Sequence, residues 1–148
     1  MIKHKALAYI LRLKCDAVEV LVLDHRDFPD VGTQIPAGTV EYGEDEKDGL
    51  FREVAEESGL MSGQLRYLAY VGESPYGKGV VRHYYLLTPA VELPDNWPHI
   101  VAGNGADKGL TFDYRWATVT AIELAGGQGE LLAGAAAKFT SLQSKRNT

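Results

Sequence analysis

Two near-continuous apolar runs open the chain. Ala6–Leu13 (ALAYILRL) and Val18–His25 (VEVLVLDH) flank the turn-like KCDA, and each reads as a strand. The loop RDFPDVGTQIPAG, with two prolines and two glycines, follows. From roughly Asp45 to Ser58 the apolar spacing becomes helical: Leu50 and Val54 share one face, with Phe51 beside them. Glu44, Asp45 and Glu46 suit the positive end of that helix, and Gly59 is placed to end it in a left-handed cap. LRYLAYVGE and VVRHYYLLT read as strands joined by SPYGKG. A turn-rich stretch runs from Pro89 to Leu110, and YRWATVT is the last expected strand. AIELAGG suggests one helical turn, and GELLAGAAAKFTSLQ a C-terminal helix. Strands before, between and after two helices predict an α+β fold: one domain over residues 1–148, a mixed sheet with helices packed on its faces.

Composition narrows the partners. The formal net charge is −5 and the pI about 5.3. That balance argues against nonspecific nucleic-acid or anionic-membrane binding. An anionic substrate then needs a cationic bridge such as a metal ion. Cys15 is the single cysteine, which rules out an intramolecular disulfide and a zinc–cysteine cluster. No apolar run approaches the ~18 residues of a membrane span. The expectation is a cytoplasmic protein with no membrane partner; the oligomeric state is left open.

One segment carries the chemistry. Glu53, Glu56 and Glu57 fall at i, i+3 and i+4, so a helix projects them together. Such a cluster is either a solvated acidic face or a site for a hard cation, because magnesium and manganese favour carboxylate oxygens. Arg52, four residues before Glu56, offsets part of the repulsion. The flanking residues decide. GTVEYGEDEKDGLFREVAEESGL, Gly38 to Leu60, matches G-x5-E-x7-R-E-U-x-E-E-x-G-U, with U aliphatic, at all nine defined positions. With average residue usage an accidental match of that length is negligible.

This segment resembles the Nudix box, and the chain is identified as a member of the Nudix hydrolase family. The resemblance implies an α/β/α sandwich with a mixed sheet. It implies hydrolysis of a pyrophosphate bond in a nucleoside diphosphate linked to another moiety X, with Mg²⁺ or Mn²⁺ as cofactor. Glu53, Glu56 and Glu57 would be the metal-binding carboxylates, and the Gly38 carbonyl a further ligand. Arg52 would orient the glutamates, Glu44 would support them, and Gly59 would close the helix. Glu53 and Glu56 are both candidates for the general base. Some relatives take the base from a loop before the last strand, where this chain offers Asp107 and Asp113. Two positions depart from the family's habit: Gly49 stands mid-helix where alanine is common, and Gln34 where many relatives carry an aromatic residue.

Nothing in the box names X. Trp97, Tyr76 and Tyr114 could stack on a nucleobase. Lys78, in the SPYGKG tip, and Arg26 could meet a phosphate. His25, His83 and His99 read as structural or surface residues. The competing function is a non-catalytic Nudix-fold sensor of a nucleotide metabolite. The intact glutamate set speaks against it, since a pure binder has no need of three carboxylates. An EF-hand calcium loop is excluded by spacing.

Overall fold

The computed structural model describes residues 1–146. Two long strands, β1 (Lys3–Lys14) and β2 (Ala17–His25), form a hairpin around Cys15 and Asp16. Both turn residues have positive φ, 50° and 65°, the backbone of a two-residue turn whose twist suits the hairpin. The short β3 (Ala37–Thr39) precedes helix α1 (Glu46–Ser58). A second hairpin joins β4 (Leu65–Pro75) to β5 (Val80–Pro89), and a third joins β6 (Asn96–Ile100) to β7 (Thr111–Thr118). Helix α2 (Leu132–Arg146) ends the described chain.

The strands form one mixed seven-stranded sheet in the order β4-β5-β1-β2-β7-β6, with β3 paired to β1 beside that path. Strand β1 is the pivot. Its first part runs parallel to β5 and pairs with β3 antiparallel, whereas its last residues pair with β2. The helices cover opposite faces. Ala6, Ala8 and Ile10 pack in a cluster with Leu50 and Val54 of α1. Leu7, Tyr9 and Leu11 pack in another with Leu132, Ala135 and Phe139 of α2. A strand buried on both faces needs apolar residues at every position, which explains the unbroken run at the start of the sequence. The sequence-predicted α/β/α sandwich is therefore the observed architecture. Among the described residues no helix is long and apolar enough to cross a membrane.

Four expectations need correction. Strand β6 lies inside the stretch read as turns; it is short, and Pro98 sits in it on the sheet edge, where a missing N–H is tolerated. Strand β3 has three residues and no pattern of its own. The last strand starts at Thr111 rather than Tyr114. AIELAGG is helical only as a 3-10 turn at Ala125–Gly127.

Candidate active site

Helix α1 is a rigid carrier because both its ends are satisfied. At the start, Asp45 accepts hydrogen bonds from the Lys47 and Asp48 amides, 2.9 and 3.2 Å. At the end, Gly59 adopts the left-handed conformation (φ 81°) and its amide reaches the Ala55 carbonyl. The next three carbonyls are capped from the β6–β7 side. Glu56 O accepts from the Ala102 amide and contacts His99 Nε2, both at 2.9 Å. Glu57 O accepts from the Tyr114 hydroxyl (2.8 Å), and Ser58 O from the Trp97 indole (2.9 Å).

Arg52 organises the carboxylates. Its Nε and one terminal nitrogen grip both oxygens of Glu44, at 2.8 and 3.0 Å. The other terminal nitrogen meets Glu53 at 2.9 Å and both oxygens of Glu56 at 3.3 Å. A further bond goes to the Thr39 carbonyl (3.0 Å). The Arg52 hydrogen bonds, helped by the Glu41 amide, hold the Glu44 carboxyl down to about 2. The same pairing raises the Arg52 guanidinium still further. Gly49, the departure within the helix, has a place here. A Cβ on it would come 2.9 Å from Glu44 Oε1 and 3.3 Å from Val40 Cγ1. Its absence lets Glu44 cross the helix surface to reach Arg52.

Glu57 is in a different state. Burial pushes its carboxyl up to about 8, and the nearby carboxylates of Glu53 and Asp107 add to this. The Ala37 amide at 3.0 Å and the Lys5 cation oppose the rise without cancelling it. Burial also raises Glu53, against the pull of Arg52. Two carboxyls are thus held in places that disfavour their charged forms, which suits oxygen donors for a divalent cation.

Glu53, Glu56 and Glu57 face a cleft of about 340 Å³, whose other walls include Lys3, Lys5, Gly38 and the loop residues Gly105–Asp107. Gly38 stands opposite Ala6 in the β1–β3 ladder, and any Cβ there would collide with the Glu53 side chain. Gly103 does the same service for Glu56: a Cβ on it would lie 2.5 Å from the carboxylate, at a φ of 89°. Backbone therefore closes onto two of the three carboxylates. The hard oxygen set, the two glycine approaches and the half-buried Glu57 fit a Mg²⁺ or Mn²⁺ ion.

None of the five residues expected to contact substrate, Trp97, Tyr76, Tyr114, Lys78 and Arg26, lines this cleft. Trp97 stacks on Tyr114 (5.2 Å between ring centres, 10° between planes), and Tyr114 is buried. Both rings are occupied in packing and in capping α1. Arg26 is engaged with Asp113 by two hydrogen bonds, 2.6 and 3.1 Å. The Tyr76 ring lies under the Arg82 guanidinium, 3.6 Å away. Lys78 sits at the β4–β5 turn, outside the cleft. In their place the fold brings Lys3, Lys5 and Asp107 to the carboxylates. The lysines precede the apolar run that signals β1, and only the ladder that sets Lys5 opposite Thr39 places them.

Residues 3–136 match the family model of the NUDIX domain. The fold is similar to that of an Ap4A hydrolase from C. elegans solved as a binary complex. The TM-score is 0.70 at 23% identity, covering 93% of this chain and 98% of that one. An ADP-ribose pyrophosphatase from Streptococcus suis 89-1591 gives 0.61 at 19% identity, with 91% and 90% covered. The NUDIX domain of Shewanella oneidensis NrtR complexed with ADP ribose gives 0.66 at 17% identity, with 94% and 89% covered. With nearly its whole length matched by the family model and the box intact, the chain belongs to the Nudix hydrolase family.

Proposed function

We propose that this protein is a divalent-metal-dependent hydrolase that cleaves the pyrophosphate bond of a nucleoside diphosphate linked to another moiety. The carrying observation is the cleft that gathers Glu53, Glu56, Glu57 and two lysines, with Arg52 fixing the glutamate side chains. Mg²⁺ or Mn²⁺ held by the three glutamates and the Gly38 carbonyl would neutralise the pyrophosphate and acidify a bound water. Lys3 and Lys5 would hold the phosphate oxygens on the opposite wall, which lets an acidic protein accept an anion. Glu44 would keep Arg52 in place, and Arg52 would keep Glu53 and Glu56 aimed into the cleft. Glu53, Glu56 and Asp107 form the set from which a water proton acceptor is drawn. The exposed thiol of Cys15 suits a reducing compartment, and we place the activity in the cytoplasm.

The test is a substrate panel with Mg²⁺ or Mn²⁺, in which phosphate and nucleotide release are followed for Ap4A, ADP-ribose, nucleotide sugars and nucleoside triphosphates. At least one should be hydrolysed, with Glu53→Gln and Glu57→Gln slower by orders of magnitude. Chelator should abolish turnover while leaving the circular dichroism spectrum intact. Tight metabolite binding without turnover across the panel would favour the sensor reading, which the NrtR domain's ADP-ribose complex keeps in view.

A further inference from the structure

A second set of metal-ligating side chains lies about two helical turns from the carboxylates. Glu46, the first residue of α1, precedes Glu53 by seven positions, roughly 10 Å along the axis. Beside it, His4 Nδ1 and His83 Nε2 approach to 2.9 Å, and His83 Nε2 is 4.0 Å from Glu46 Oε1. The three ligand atoms lie within 4.8 Å of one another. They come from three elements, β1, β5 and α1, whose backbones are fixed by the sheet and the Asp45 cap.

We propose that His4, His83 and Glu46 form a zinc-class metal site, separate from the catalytic carboxylates. Two imidazoles and one carboxylate suit Zn²⁺ and its neighbours in the transition series rather than Mg²⁺. Ligand bonds of about 2.0–2.1 Å set tetrahedral ligand atoms roughly 3.4 Å apart. The observed separations of 2.9 and 4.0 Å lie on either side of that value, and an ion would take the place of the hydrogen bond that now joins the two imidazoles.

The surroundings support the ligands as a metal site requires. His83 is buried, and its other nitrogen, Nδ1, lies 2.9 Å from the Tyr70 hydroxyl. With Nδ1 protonated and donating to Tyr70, Nε2 keeps its lone pair for an ion. The second oxygen of Glu46 accepts from the Tyr85 hydroxyl at 2.8 Å, leaving Oε1 free to turn inward. His4 and Glu46 line a groove of about 870 Å³ with Met1, Ile2, Val40 and Tyr42. A fourth coordination position taken by water would face that groove. The groove shares Lys3 and Thr39 with the carboxylate cleft. An ion at this point staples the start of β1 to the start of α1.

The experiment uses the full chain, stripped of metal and then held in saturating Mg²⁺, titrated with Zn²⁺ by calorimetry and with Co²⁺ by visible absorption. One Zn²⁺ per chain should bind, and Co²⁺ should show the intense absorption of a tetrahedral site. His4→Gln and Glu46→Gln, both altering exposed side chains, should weaken Zn²⁺ binding about tenfold or more. Tyr70→Phe should weaken it by about tenfold through His83. The double variant Glu53→Gln/Glu57→Gln should bind Zn²⁺ like the parent. Equal affinity in the parent, His4→Gln and Glu46→Gln would overturn the site. So would loss of the ion in the glutamate double variant, or failure of the parent to bind Zn²⁺ stoichiometrically.

Discussion

The indole N–H of Trp97 donates to the carbonyl of Ser58 at 2.9 Å, joining edge strand β6 to the last turn of α1. The ring looks like a nucleobase platform in the sequence, and in the fold one of its faces is covered by Tyr114. Trp97→Phe should therefore act on stability. Loss of the hydrogen bond and part of the stacking should cost about 1–3 kcal/mol in urea unfolding. The KM for any hydrolysed nucleotide should change less than about twofold at temperatures where the variant is folded. A large KM increase with unchanged stability would return Trp97 to the substrate site.

The Glu44–Arg52 pair predicts a pH dependence. The Glu44 carboxyl is held at about 2 in the folded protein, below its ordinary value of 4.5. Its contribution is therefore present above pH 4.5 and lost as pH falls toward 2. Glu44→Gln should destabilise the protein by about 2 kcal/mol at pH 7, the value of hydrogen bonds to a charged group. The gap from the parent should narrow steadily between pH 4.5 and 2. Gly49→Ala should show the same narrowing. Its helix-propensity gain of about 1 kcal/mol is set against a displaced Glu44.

Glu57 predicts the opposite slope. Its folded carboxyl is raised to about 8 in the metal-free protein. The stability it contributes is complete below pH 4.5 and falls as pH rises toward and through 8. Melting temperature of the metal-free protein should decline from pH 6 to pH 9, and Glu57→Gln should flatten that decline. Added Mg²⁺ should stabilise the parent more at pH 8.5 than at pH 6, because it competes with the proton on Glu57. Equal Mg²⁺ stabilisation at both values would remove Glu57 from the metal site.

Lys5 lines the cleft and faces the charge of Glu57. Lys5→Ala should raise KM about tenfold with a smaller change in kcat, the pattern of lost uniform binding. Lys78→Ala, outside the cleft, should leave both within about twofold. Steady-state kinetics on the best panel substrate decides between them.

The box was legible because it is local. Arg52, Glu53, Glu56 and Glu57 are spaced by one helix, so their sequence order is their spatial order. The buried strands were legible for the same reason, as unbroken apolar runs. The far wall of the cleft was not. Lys3 and Lys5 reach the glutamates through pairings between distant segments, and nothing in their neighbours' residue types marks them; Asp107 is marked only by its place in the loop before the last strand. The intramolecular partners of the aromatics were not legible either. Trp97 and Tyr114 sit in weakly patterned segments, yet each has a helix carbonyl as its partner. The role of Gly49 required knowing where Glu44 goes.

Strand β1 lies parallel to β5, with Lys3 beside Val80 and Ile10 beside Leu87, so these contacts span 77 residues. Bringing such distant segments together is the slow, entropically expensive part of refolding. Helix α1, capped within its own sequence at Asp45 and Gly59, has every means to form earlier. The acidic half of the cleft is then a local product, and the basic half waits for the chain's long-range closure. During refolding, binding of a fluorescent nucleotide in the presence of Mg²⁺ should lag the far-ultraviolet helical signal. Simultaneous recovery of the two would show that helix and long-range closure form in one step.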